Sequence, residues 1–173
     1  MENKKNKHLF LWVYLAGMTA LVFLDQITKI LAENYLYNKK AFVIIDGVFE
    51  FSYLRNSGAA WGMLSGKRVF FLIITVFMLA VVTYAVFRMP NVKKMLPLEI
   101  FCILLGAGAI GNFIDRLMLG YVRDFVYFKL INFPVFNVAD CYVTISVVLF
   151  VILIFFVYQE ADFEFLKWKK KDI

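Results

Sequence analysis

The chain is poor in the residues from which hydrolytic and metal sites are most often built. Its 173 residues include one histidine, two cysteines and three prolines. His8 stands in a basic N-terminal tail, which removes His-based triads and His-rich metal centres. Cys102 and Cys141 each lie in an apolar stretch and form no Cys-x-x-Cys pair. They read as small buried hydrophobes rather than a disulfide or a metal site. Three prolines against twenty phenylalanines exclude a disordered or collagen-like chain. No metal and no cofactor is expected.

Apolar residues are abundant. They make up 62% of the chain, where a soluble domain holds about 45–50%, and mean hydropathy is +0.75. Four runs are long enough to cross a bilayer, which takes about 20 helical residues. They cover roughly residues 9–31, 69–87, 98–119 and 138–158, within a single domain spanning 1–173. Net charge is +6, concentrated in flanks: Lys4, Lys5 and Lys7; Arg88, Lys93 and Lys94; Lys167 and Lys169–Lys171. In so apolar a chain these clusters mark cytoplasmic membrane flanks rather than nucleic-acid contacts. Four spans then put both termini and the Arg88–Lys94 connection inside the cell, with 32–68 and 120–137 outside. Those outer segments also carry Lys39, Lys40, Arg55, Lys67, Arg68, Arg123 and Lys129, which weakens the bias. Leu9–Leu24 resembles a signal-peptide core, but no small-x-small cleavage site follows, so a retained first span is expected.

The first outer segment predicts a β region over about 41–56. Asp46-Gly47 lies between two runs rich in β-branched and aromatic residues, a hairpin signal. Phe49, Phe51 and Tyr53 alternate with Glu50 and Ser52, as in a strand with one apolar face. Such a sheet would rest on lipid, cap the helices, or both. The fold expected is a mainly α membrane protein, a four-helix bundle with a small extracellular β region and an extracellular loop.

Charged groups at membrane depth are costly and mark function. Asp25, Asn56, Asn112, Asp115, Arg116, Asp124, Asn137 and Asp140 all fall at the outer ends of spans or just beyond them, and one polar pocket explains that agreement. Gly108, Asn112 and Arg116 share a helical face at i, i+4, i+8. Gly106–Gly111 supplies small residues for close helix packing. Arg116 calls for a carboxylate partner nearby. Asp124 and Asp140 suit peptide hydrolysis without metal, serine or cysteine. Two neighbouring carboxylates cannot both ionise easily, so one activates water while the other keeps a proton for the scissile carbonyl. Spacing alone leaves open that they are two separate interfacial anchors.

Five motifs together resemble the bacterial lipoprotein signal peptidases, signal peptidase II. They are Asp25-Gln-Ile-Thr-Lys29, Arg55-Asn-Ser-Gly-Ala-Ala-Trp-Gly62, Gly108-Ala-Ile-Gly-Asn-Phe-Ile-Asp-Arg116, Val122-Arg-Asp-Phe125 and Phe133-Pro-Val-Phe-Asn-Val-Ala-Asp140. They occur in the family's order and cover the chain apart from its tails. The resemblance implies an aspartic endopeptidase that removes the signal peptide from diacylglyceryl-modified prolipoproteins, cutting before the lipidated cysteine. It implies Asp124 and Asp140 as the catalytic dyad. Asp25, Asn56, Gly58, Asn112, Arg116, Asn137 and Ala139 would line the pocket and bind substrate. It also implies a β-cradle and a mobile extracellular loop, here Phe125–Phe133. Cys141 stands where the family often carries Ser. The enzyme is expected as a monomer in the bacterial cell membrane, its site toward the outer leaflet, with membrane lipid and lipidated precursors as partners and no nucleic acid.

Three rival readings remain from the residues themselves. A serine–lysine peptidase would use Ser57 or Ser65 with Lys29 or Lys67. An ion-coupled carrier would use Asp25, Asp115 and Arg116 as a relay. A membrane adaptor would use only its basic tail.

Overall fold

A computed structural model describes residues 2–58 and 66–167, with side chains from Phe10 onward. Ala59–Gly62 of the second motif, Ser65, and Lys169–Lys171 lie outside the described residues, as do the side chains of Lys4, Lys5, Lys7 and His8. Four long helices are present among the described residues: α1 (Glu2–Leu36), α2 (Arg68–Arg88), α3 (Leu96–Met118) and α4 (Val138–Phe156). Each is long and apolar enough to cross a membrane, close to the runs read from sequence.

Helix ends follow local chemistry. Pro90 follows α2 directly after Met89, whose extended ψ of 131° ends the helix. Pro97 sits in the first turn of α3, where its missing N–H costs nothing. Gly120, at φ 86°, closes α3 as its N–H returns to the Arg116 carbonyl. At the start of α4, Asn137 Oδ1 accepts from the Asp140 N–H while the Asp140 carboxylate accepts from the Asn137 N–H. This reciprocal capping box fixes the Asp140 rotamer at the helix start.

Helix α3 is the hub, packing against α1, α2 and α4. Its glycines allow the close approach. A methyl group at Gly108 would press on the Ala139 carbonyl and Val143 of α4, and one at Gly111 would collide with Asp25 of α1. By contrast α2 buries little beyond Val82 and Val86. It exposes Phe70, Ile73, Val76, Phe77 and Phe87, a face that lipid and not water accommodates.

Three strands form one antiparallel sheet in the order β1 (Phe42–Ile45), β2 (Phe49–Asn56), β3 (Val122–Phe128). The hairpin read from Asp46-Gly47 is present, with Gly47 at φ 70°. The alternation in β2 does not sort as expected. Glu50 is among the buried residues, because Lys129 from beyond β3 pairs with it at 3.2 Å. The strand β3 corrects a second expectation. Over Phe125–Phe128 the chain is strand rather than loop, and Lys129–Ile131 is a short 3-10 turn. Pairing to β2, some 70 residues earlier, supplies the backbone partners that a loop would lack.

Candidate functional site

Asp124 lies in β3 diagonally across from Asn56 at the end of β2, given the registers Leu54↔Asp124 and Asn56↔Val122. Asn56 Nδ2 donates to Asp124 Oδ2 at 2.8 Å. Asn137, the N-cap of α4, donates from Nδ2 to Asp124 Oδ1 at 2.6 Å. Asp140 accepts from the Asn137 N–H at 3.0 Å and from Asn112 Nδ2 at 2.8 Å. One residue, Asn137, therefore bridges both aspartates, and each carboxylate holds two donors. The capping box and the β2–β3 ladder are what bring together two acids 16 residues apart.

The two aspartates open into one cavity of about 580 Å³. Asn56, Gly58, Asn112 and Arg116 share its polar wall, and Phe133–Phe136, Val143 and Ile145 its apolar wall. Asp124 is almost fully buried. Burial first, and then the neighbouring Asp140 charge, push its carboxyl up to about 7 despite the Asn56 and Asn137 donors. A carboxyl poised near neutrality beside a second one can hold a proton while its neighbour accepts one.

Three residues expected to line the pocket do not. Asp25, Asn137 and Ala139 are fully buried behind its wall. Asp25 Oδ1 accepts from the Ala139 N–H at 2.9 Å, tying α1 to the first turn of α4. Lys29, one helical turn on, pairs with Asp25 at 2.9 Å and donates to Asn112 Oδ1 at 2.9 Å. Asp115 accepts from Arg123 through Nε, Nη2 and the backbone N–H, at 3.1, 2.7 and 3.0 Å. Gln26 joins the two halves, donating to the Gly111 carbonyl and accepting from Arg123.

Arg116 also departs from expectation. Among the described residues it has no carboxylate within ion-pair distance. Its guanidinium donates to the Gly58 carbonyl at 3.1 Å and lies 4.5 Å from the Phe71 ring centroid. Asp115, its sequence neighbour, is taken by Arg123. Arg123 in turn is not a surface charge reporting topology but a buried structural cation. Cys141 lines the cavity rather than the core, whereas Cys102 is buried as expected. Sequence reasoning missed Lys29, Gln26 and Arg123 as members of the site. The signal for Lys29 was its i, i+4 spacing from Asp25 inside an apolar helix, where unpaired charge is untenable.

The rival readings gain nothing from this geometry. Lys29, the candidate base of a serine–lysine pair, is fully buried between Asp25 and Asn112. Of the carrier relay, Asp25 is engaged by Lys29 and Asp115 by Arg123.

Comparison with known proteins follows the same outline. The family model described as "Signal peptidase (SPase) II" matches residues 18–156. The chain is 40% identical over 142 residues to the lipoprotein signal peptidase of Lactiplantibacillus plantarum, covering 82% of this chain and 93% of that protein. It is 43% identical over 137 residues to that of Caldanaerobacter subterraneus, covering 79% and 91%. A bacterial membrane enzyme solved by the in meso method superposes with a TM-score of 0.73 at 35% identity, over 86% of this chain and 96% of that one.

Proposed function

The chain belongs to the signal peptidase II family of aspartic peptidases, and from that membership we propose that it removes signal peptides from prolipoproteins, with Asp124 and Asp140 as the catalytic pair. It is a multi-pass bacterial membrane protein. The observation that carries the proposal is the shared cradle. Asn137 holds both carboxylates at one cavity, and Asp124 titrates near neutrality.

The chemistry divides as follows. Asp124 enters the reaction protonated and Asp140 ionised. Asp140 takes a proton from water as that water's oxygen attacks the scissile carbonyl. Asp124 donates its proton to the carbonyl oxygen, giving a neutral gem-diol. Asp140 then returns its proton to the leaving nitrogen. One diol hydroxyl passes its proton to Asp124 as the C–N bond breaks, leaving a carboxylic acid and an amine. Asn56 and Asn112 hold the acids from the cavity wall, and Gly58 and Arg116 sit where the peptide backbone would pass. Asp25 and Ala139 act from behind that wall by holding α1 against the start of α4, and Asn137 by bridging the two acids.

The substrate is a precursor whose cysteine carries diacylglyceryl, cut on the N-terminal side of that cysteine. The apolar wall of Phe133–Phe136, Val143 and Ile145 suits an acyl chain, whose burial contributes about 0.8 kcal/mol per CH₂. The site end of the bundle faces the outer leaflet. The basic flanks at both termini and at Arg88–Lys94 stay in the cytoplasm. The chain works as one domain and as a monomer, its sheet against the outer lipid surface.

A purified-enzyme assay with a diacylglyceryl-modified peptide tests this reading. Asp124→Asn and Asp140→Asn should each lower turnover by at least about a thousandfold while the protein stays folded. Near wild-type cleavage by either variant, or equal turnover of the unmodified peptide, would overturn it.

A further inference from the structure

Three carboxamides feed donors to the two aspartates, and each must be turned the right way round. A carboxamide can present NH₂ or oxygen to a neighbour, and its orientation is set by what binds its other end. Asn56 Oδ1 accepts from the Gly58 N–H at 2.9 Å, and Asn137 Oδ1 from the Asp140 N–H at 3.1 Å. Both are backbone donors. Asn112 is held differently. Its Oδ1 accepts from Lys29 Nζ at 2.9 Å and from Asn137 Nδ2 at 3.1 Å. An ammonium has donors only, so an Asn112 amide turned over would set its NH₂ against the Lys29 NH₃⁺.

We propose that Lys29 is a positioning residue for the peptidase reaction: it locks the Asn112 amide with its NH₂ toward Asp140 and thereby keeps Asp140 available as the ionised base. The inference rests on the reading of Asp124 and Asp140 as the dyad and goes one layer behind it. Without Lys29 the Asn112 oxygen keeps, among the described residues, the 3.1 Å donor of Asn137, which Asp124 also claims at 2.6 Å. The amide then turns over more readily, and its oxygen facing Asp140 Oδ1 is tolerated only when Asp140 carries a proton. Protonated Asp140 cannot accept the proton of water. The groups facing Asp140 are Asp124 from β3, Arg116 from α3, Cys141 beside it on α4, and, behind Asn112, Lys29 with Asp25 from α1. Among these described groups Lys29 is the one that donates to the Asn112 oxygen, and it shares that oxygen with the neutral Asn137 amide. It is fully buried, so bulk water has no direct access to replace it.

The opposing account makes Lys29 only a counter-ion for Asp25, 2.9 Å away, and for Asp115, 3.8 Å away. Three variants separate the two accounts. Lys29→Met removes donor and charge. Lys29→Gln keeps a neutral donor. Lys29→Met with Asp25→Asn removes the donor but restores charge balance. Each full-length enzyme is purified in detergent and assayed on a fluorogenic diacylglyceryl-modified peptide from pH 4 to 9, with melting curves alongside. Lys29→Met should lower kcat about a hundredfold with little change in KM. Its acid limb should move upward by about one pH unit or more. Lys29→Gln should recover most of kcat and return the limb toward that of wild type, while the double variant should stay as impaired as Lys29→Met.

Wild-type pH dependence in Lys29→Met, or recovery by charge balance and not by Gln, overturns the proposal. If Lys29→Met does not fold, the Gln variant decides alone: a restored limb supports the orienting role, and full loss of turnover in a folded protein refutes it. Failure of the dyad reading itself is seen separately, as turnover insensitive to Asp124→Asn and Asp140→Asn whatever Lys29 does.

Discussion

The two ends of the helix bundle are built on opposite principles. At the end holding the Arg88–Lys94 connection, Phe10, Tyr14, Val86, Met89, Leu98, Cys102 and Leu153 form one apolar cluster. Tyr158 joins it, its hydroxyl donating to the Lys94 carbonyl. The buried acid at that end among the described residues is Glu99, in the first turn of α3, and its Oε1 has no hydrogen-bond partner among them. At the other end Asp25, Lys29, Asp115, Arg123, Asp124 and Asn137 are just as buried but are joined by hydrogen bonds and ion pairs. Apolar contact has no direction, so the first end tolerates replacement by similar volume. Each polar group at the second end depends on a particular partner, and loss of one leaves another stranded. The same four helices thus carry a permissive end that holds the bundle together and an exacting end that positions the acids.

This contrast can be broken by mutation. The largest structural effect is expected from Arg123→Met, which among the described residues leaves Asp115 with Gln26 and distant Lys29 as side-chain partners. It should cost about 3–5 kcal/mol in a reversible unfolding titration in detergent. Met89→Ala, at an equally buried apolar position, should cost about 2–3 kcal/mol and leave kcat on a lipidated peptide intact. Equal costs, or lost activity in Met89→Ala, would erase the distinction between the ends. Lys94→Ala removes a half-exposed ion pair with Asp162 and should shift the melting temperature by no more than about 2 °C.

pH sharpens the same comparison. Asp124 titrates near 7 in the folded protein and near 3.9 in an unfolded chain. Between those values the folded state binds the extra proton. The stability that Asp124 contributes is full below about pH 4 and is lost as pH rises through about 7. Wild type should therefore lose more melting temperature from pH 5 to pH 8 than Asp124→Asn does, and its activity should fall above neutrality as both acids ionise. A variant with the full wild-type slope would place the titrating group elsewhere.

Much of this was legible in the residues. The four spans were, because about 20 apolar residues in a row admit few other structures. The Asp46-Gly47 hairpin was, because its signal is local. The convergence of eight polar groups on one end followed from topology alone. The strand β3 was not legible. Val122–Phe128 reads as loop until β2 lies beside it, and no local pattern announces a partner 70 residues away. Nor was the division of labour among the cations. Arg123 looks like one more outer-segment charge in the sequence, Lys29 like the base of a serine–lysine pair, and Arg116 like the one needing a carboxylate. In the fold the first two are buried and paired, and Arg116 meets a carbonyl and a ring.

Composition and periodicity were enough to decide that this chain lives in a membrane, crosses it as helices, and gathers its polar residues at one end, because lipid penalises every exposed polar group in proportion to its depth. Which of those groups would face the cavity, and which would stand behind it, depended on directions in space. Hydrogen bonds and ion pairs act over about 3 Å, a distance set only when β2 meets β3 and the glycines of α3 let α1 and α4 close in.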